Sequence, residues 1–407
     1  MEATNQMYAS RQSSCELGAK TPPTPSLDES KQQKREEILE ACTRRDTACL
    51  MKLASSEGGL LQDEIRQVAW PILQGYDPDE QHEELTPWES LPSHGDEYQV
   101  KLDVNRSFVH YPNCKTEKHL EAKRSELLDL ITSLLRRNPM LCYFQGYHDI
   151  AQVLLLVLGR KGSYPALVHM SLFRIRDYML PSLSPALRHL HLIPAIIKCV
   201  DGQLWKHLAG TQPFFALAAT LTLYAHDIPE YIDIARLYDF ILAHEPVVSI
   251  YLFATIVLAR KDELLDIPID EPEMIHGTLS KLPQPLDLEA MISQTLELFY
   301  KFPPEKLPQG AWRTISSHSV LKTLRDPTLR STKEEAGKHF QQQVRGLRQE
   351  ERYQRTVVLY RKHARSIGFV GAAILVGAVS YWISRRDFDA NKLFWNCLRL
   401  KSFSGRK

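Results

Sequence analysis

Three short strings bring together side chains able to do chemistry as a set. In Val100-Lys101-Leu102-Asp103-Val104-Asn105-Arg106 a carboxylate stands three residues before a guanidinium, so on a helix the two share a face and the Asp can steer the Arg toward a partner. In Tyr143-Phe144-Gln145-Gly146-Tyr147-His148-Asp149-Ile150 a carboxamide that both donates and accepts precedes a glycine that lets another backbone come close. The third string is Ile65-Arg66-Gln67-Val68-Ala69-Trp70, which follows Gly58-Gly59-Leu60. Taken singly, each has a bland reading. Asp103 and Arg106 would be an exposed intrahelical ion pair worth under about 1 kcal/mol, and Gln145 would satisfy backbone groups near a helix start.

Other chemistries are poorly supported. His110, Cys114 and His119 lack a second ligand pair at zinc spacing. Cys142 near His148 sits between apolar Leu141 and Tyr143, which suits packing better than nucleophilic attack. The chain has no G-x-x-x-x-G-K-[ST] loop, so no nucleotide site of its own is expected. With 50 Lys and Arg against 49 Asp and Glu, a net charge of +1 gives no support to nucleic-acid binding. The seven cysteines have no disulfide-framework spacing, and no cleavable apolar leader opens the sequence. A reducing, cytosolic setting for the body of the protein follows.

The elements that must position these strings read as helices. Residues 117–137 carry Leu120, Leu127, Leu128, Ile131, Leu134 and Leu135 on one stripe, ended by Asn138-Pro139. Residues 150–158 are apolar nearly all round, as in a buried central helix. Further helical runs are expected at 166–178, 187–208, 214–225, 232–242, 247–260 and 288–302, with no sustained period-2 alternation anywhere. The fold expected is all-α. The organisation expected is a disordered tail over 1–29, a helical lead-in over 30–57 capped by Asp28 or Ser30, a helical domain over 58–304 and a solvated polar linker over 305–360.

Together the strings resemble the signature of the TBC domain, the Rab GTPase-activating module. Val100, Asp103 and Arg106 match I-x-x-D-x-x-R with a Val for Ile, and Tyr143, Gln145 and Gly146 match Y-x-Q-G, with Asp149 at the acidic position that follows. Arg236-Leu237-Tyr238-Asp239 is similar to R-x-W-D, and Arg66 with Trp70 is similar to the opening R-x-x-x-W. The chain departs from the family at Arg106-Ser107-Phe108, where Pro appears only at 112, which leaves the path after the arginine open. The resemblance implies a TBC-type helical domain over 58–304 that binds a Rab-family GTPase in its GTP form. It assigns Arg106 as the arginine finger and Gln145 as the residue that orients water, both supplied in trans. Asp103, Tyr143, Gly146, Asp149, Arg66, Trp70, Arg236 and Asp239 become supporting or Rab-binding residues. GTP and Mg²⁺ would belong to the partner, leaving this chain without cofactor or metal.

The run 367–383 contains no charge and is flanked by Arg361, Lys362 and Arg365 on one side and Arg385-Arg386 on the other. As a helix it would be about 26 Å long, near the lower limit for spanning a thin bilayer such as that of the endoplasmic reticulum. A C-terminal transmembrane anchor followed by a short tail over 384–407 is expected, with the catalytic domain facing the cytosol at that membrane or at the Golgi. Transport from the endoplasmic reticulum to the Golgi is the implied setting. A Rab-binding scaffold without catalysis, or a membrane-shaping tether, are the alternatives.

Overall fold

The computed structural model describes residues 27–77, 86–111, 116–325 and 332–385. The tails at 1–26 and 386–407 lie outside the described residues, as do Pro112 and Cys114. Among the described residues every regular element is a helix.

The first six α-helices of the described residues are α1 (Leu27–Thr43), α2 (Thr47–Ser55), α3 (Asp63–Gln74), α4 (Glu97–Asn105), α5 (Glu117–Arg137) and α6 (Tyr147–His169). The expected stripe on α5 holds, with Leu127, Ile131, Leu134 and Leu135 buried. It packs against α6, whose opposite side meets α3 and the helix Tyr231–Ala243. Tyr147, Ile150, Val153, Leu154 and Val157 leave α6 with no solvent-facing stripe over its first turns. At about 1.5–3 kcal/mol for each large side chain withdrawn from water, this helix anchors the core. It bends at Gly159, where φ is +66°.

Three expected runs are broken. Residues 187–208 form Ser184–Leu190, Leu192–Val200 and Gly202–His207, and residues 214–225 give a 3-10 turn at Pro213–Ala216 and the short helix Leu217–Leu221 before left-handed Leu223 and Tyr224. The run 166–178 contains the end of α6, a π segment at Met170–Arg174 and a 3-10 turn at Arg176–Met179.

The boundaries also differ from the sequence reading. α1 begins at Leu27, so Asp28 and Ser30 lie inside it rather than capping it. The lead-in is part of the core, since Ile38, Ala41, Leu50 and Ala54 are buried beside α3 and the helix Tyr231–Ala243. More consequentially, the segment expected as a solvated linker is packed over much of its length. Leu307, Ile315, Val320, Leu321, Ala336 and Phe340 are buried. The polar composition misled because its polar groups have protein partners: Gln343 donates to Asp177 Oδ1 at 2.8 Å and accepts from Arg176 Nε at 3.2 Å. Arg188 also pairs with Glu350. Past Glu350, residues 351–356 of the long helix Lys333–Arg385 are all exposed.

The run 367–383 has a helical backbone within Lys333–Arg385, but most of its side chains lie outside the described residues. Among the described residues no helix is long and apolar enough to cross a membrane.

Candidate functional site

Arg106 caps the C-terminal end of α4, and its N–H donates to the Asp103 carbonyl at 3.1 Å. Asp103 therefore lies in the last turn, where a carboxylate is disfavoured by the negative end of the helix dipole. It is held there by three donors. Arg106 Nη2 reaches Oδ1 at 2.7 Å, Gln99 Nε2 reaches the same oxygen at 3.1 Å, and the Tyr143 hydroxyl donates to Oδ2 at 2.9 Å. The last bond joins the two sequence strings directly, across forty positions. Burial, then the Asp103 charge, pushes the Tyr143 hydroxyl far up, so it stays a donor.

Gln145 is exposed at the start of α6. The next residue, Gly146, has φ +98°, and a Cβ there would come within 2.6 Å of Thr222 Cγ2. Both the left-handed turn and the close approach require glycine. Arg106 and Gln145 line one cleft of about 780 Å³, together with Asp149, His226, Val109 and Phe214. Asp149 bridges two histidines, with His148 Nε2 at 3.3 Å from Oδ1 and His226 Nδ1 at 3.1 Å from Oδ2. The hydrogen bond to Asp149 raises the His226 pKa, whereas burial lowers that of His148 against the pull of the Asp149 and Asp103 charges.

The other four residues from the sequence strings do not line this cleft. Asp239 is fully buried and accepts from Arg66 Nε and Nη2 at 3.0 Å each, from Trp70 Nε1 at 2.8 Å and from the Leu60 N–H at 3.0 Å. Burial opposes the Arg66 charge, but Asp239 outweighs it and raises the pKa. Arg236, also buried, pairs with Glu289 at 2.7 Å and donates to the Ala54 and Ser56 carbonyls at 3.0 Å each. These contacts tie α2, α3 and the segment 56–60 to the helix Tyr231–Ala243. Gly59 is tight for the same reason, since a Cβ there would meet Asp239 Oδ2 at 2.6 Å. Arg66, Trp70, Arg236 and Asp239 are thus a buried brace, out of reach of a docking partner.

The remaining candidates fare differently. Cys142 is half-buried, and burial together with the Asp96 charge raises its thiol pKa, which keeps it in the unreactive protonated form. His110 faces the cleft, while Cys114 lies outside the described residues. No group of three metal-ligating side chains occurs among the described residues.

Comparison with known proteins settles the family. Residues 63–265 match the family described as Rab-GTPase-TBC domain. TBC1 domain family member 20 of Bos taurus and of Homo sapiens are each 33% identical over 341 residues, spanning 82% of this chain and 84% of the relative. The chain belongs to the TBC-domain Rab GTPase-activating proteins. GTPase-activating protein gyp10 of Schizosaccharomyces pombe is also 33% identical, over 300 residues, spanning 72% of this chain and 79% of the relative. The crystal structure of the Ypt/Rab-GAP domain of Gyp1p shares the fold, with a TM-score of 0.51 at 14% identity over 65% of this chain and 99% of that one.

Within this TBC domain, sequence reasoning missed Gln152, His226 and Phe214. Gln152 left a signal, as the one polar residue in the apolar run 150–158. His226 and Phe214 left none, because only the fold brings 213–226 to the cleft beside Arg106.

Proposed function

We propose that this chain accelerates GTP hydrolysis on a Rab-family GTPase by inserting Arg106 and Gln145 together into the partner's nucleotide pocket. One observation carries the reading: both side chains are exposed on a single cleft, and Arg106 is held at its base by buried Asp103. The planar guanidinium stays charged and matches phosphoryl oxygens in fork geometry. An arginine given in trans supplies about 10³–10⁵ in rate, or roughly 4–7 kcal/mol of transition-state stabilisation. The Gln145 carboxamide, with a donor and an acceptor on one rigid group, suits the orientation of the attacking water. Tyr143, Asp103 and Gly146 fix where the two side chains start, and Asp149 sits beside them on the cleft.

The nucleotide and Mg²⁺ stay with the partner, and the TBC chain supplies side chains only. We further propose that 367–383 anchors the protein in the endoplasmic reticulum membrane, with Golgi as the alternative, so that the cleft acts from the cytosolic side on a Rab of the early secretory pathway. The uncharged run with cationic flanks supports the anchor.

Single-turnover hydrolysis across a panel of GTP-loaded Rabs tests the catalytic reading. At least one Rab should be stimulated by the native protein, and Arg106→Lys or Gln145→Ala should remove most of the stimulation. Full stimulation by Arg106→Ala would refute the finger assignment, and tight binding to GTP-loaded Rab with no rate increase would indicate a scaffold.

A further inference from the structure

The arginine needs more than a carboxylate leash, because the backbone that leaves it must turn away from the incoming partner. Phe108, two residues on, has φ +62° with its side chain buried. A non-glycine residue holds this sparsely populated conformation only where its surroundings over-determine it. Three contacts do so. Ser107 Oγ donates to the Asp103 carbonyl at 3.2 Å, and the Tyr111 hydroxyl donates to the Ala225 carbonyl at 3.2 Å. The third is Gln152 on α6, only 5% exposed: its Oε1 accepts from the Phe108 N–H at 2.9 Å and its Nε2 donates to the Tyr111 carbonyl at 3.4 Å.

We infer that Gln152 is a positioning residue for the reaction, a clamp that sets the path of the chain after Arg106 and so fixes how far the guanidinium extends. This rests on reading Arg106 as the arginine finger. Ser107-Phe108-Val109 contains no proline, so no ring-fixed φ constrains the turn locally and the constraint comes from its partners. A carboxamide is suited to the task, since one donor and one acceptor on a rigid group can hold an N–H and a C=O of the same loop. The clamp also comes from the right element. Gln152 lies less than two turns into α6, the helix that begins immediately after Gln145-Gly146. One helix therefore contributes to both the carboxamide's base and the arginine's loop, and so links the positions of the two prongs.

An ordinary buried glutamine that merely satisfies backbone groups would affect folding and nothing else. The two roles separate in the full chain with Gln152→Met, which keeps length and loses both bonds, and with Gln152→Glu, which keeps the acceptor for Phe108. A GTPase that the native protein stimulates is used in two states, loaded with a non-hydrolysable GTP analogue and with GDP plus aluminium fluoride as a transition-state mimic. Gln152→Met should lower the maximal single-turnover rate by about 10–100-fold, as a displacement of roughly 1 Å would, and weaken binding to the fluoride state by a similar factor. Binding to the analogue state should change less than about 3-fold, and Gln152→Glu should recover part of the rate. A native maximal rate for Gln152→Met overturns the proposal, as does equal weakening of both binding states. If Gln152→Met does not fold, Gln152→Glu decides alone, since its carboxylate faces the Tyr111 carbonyl and a native rate would then overturn the clamp. Arg106→Ala run alongside keeps the two readings apart. Stimulation surviving Arg106→Ala removes the finger itself, whereas stimulation lost there and kept in Gln152→Met removes only the clamp.

Discussion

Asp103 is 1% exposed and Arg106 57% exposed, yet their side chains meet at 2.7 Å. A buried carboxylate thus holds one end of a guanidinium whose other end faces solvent. The pair is no free surface ion pair, because Asp103 is also tied to Tyr143 and Gln99 and cannot follow the arginine outward. That arrangement limits the rotamers open to Arg106 before a partner arrives, which lowers the entropy cost of inserting it.

Asp103→Asn should keep the helix end but weaken the leash, because the amide retains one acceptor and loses the charge. We expect the maximal stimulated hydrolysis rate to fall by about 10-fold or more with a smaller change in half-saturating concentration, together with a stability loss of about 1–3 kcal/mol from the altered buried bonds. Single-turnover kinetics and urea unfolding of the same samples report both.

The buried brace should behave in the opposite way. Asp239→Ala strands the Arg66 guanidinium and the Trp70 indole N–H in the interior, a change worth about 3–5 kcal/mol when one partner of a buried ion pair is removed. Thermal melting should show a large drop, while whatever fraction remains folded at low temperature hydrolyses GTP on its partner at the native rate per folded molecule. An Asp239→Ala protein that melts normally but has lost stimulation would place this carboxylate in the catalytic machinery instead.

His244 provides a pH signature. Burial and the neighbouring Arg174 charge depress its pKa to about 4, and its Nε2 lies 2.7 Å from Ser55 Oγ. Because Ser55 donates to the Met51 carbonyl at 2.7 Å, the imidazole nitrogen is the donor in that pair. The folded pKa lies below the unfolded value of about 6.5, so the unfolded chain binds the proton more readily. The His244 contribution is therefore complete above about pH 6.5 and declines as the pH falls toward 4, by roughly 3 kcal/mol in all. His244→Gln should flatten that part of the stability profile relative to native protein, measured by urea unfolding at half-unit pH steps.

Truncation should separate the two parts of the long helix Lys333–Arg385. Ending the chain at Tyr360 keeps buried Ala336, Phe340 and Gln343 and should leave the melting temperature nearly unchanged. Ending it at Thr332 removes buried Phe340 and Gln343 and leaves Arg176 and Asp177 short of partners. A loss of about 3–5 kcal/mol is expected from Phe340 alone. Equal stability of the two truncations in calorimetry would show that the docking contributes nothing.

The sequence by itself determined the all-helical class, the stripe of α5, the buried nature of α6 and the two strings that hold Arg106 and Gln145. These are local properties, since apolar periodicity and the order of Asp, Arg, Tyr, Gln and Gly survive reading in one dimension. Tertiary structure alone decided which string faces a partner and which braces the interior. Arg66, Trp70, Arg236 and Asp239 are as polar or aromatic in sequence as Arg106 and Gln145, but their mutual hydrogen bonds make burial affordable, and a bond between residues 173 positions apart has no local signature. The same reason hid the packed stretch after 304. Its Gln and Arg residues looked solvated until Arg176, Asp177 and Gln343 were seen to satisfy one another, because burial of a polar side chain depends on a partner that only the folded chain brings within reach.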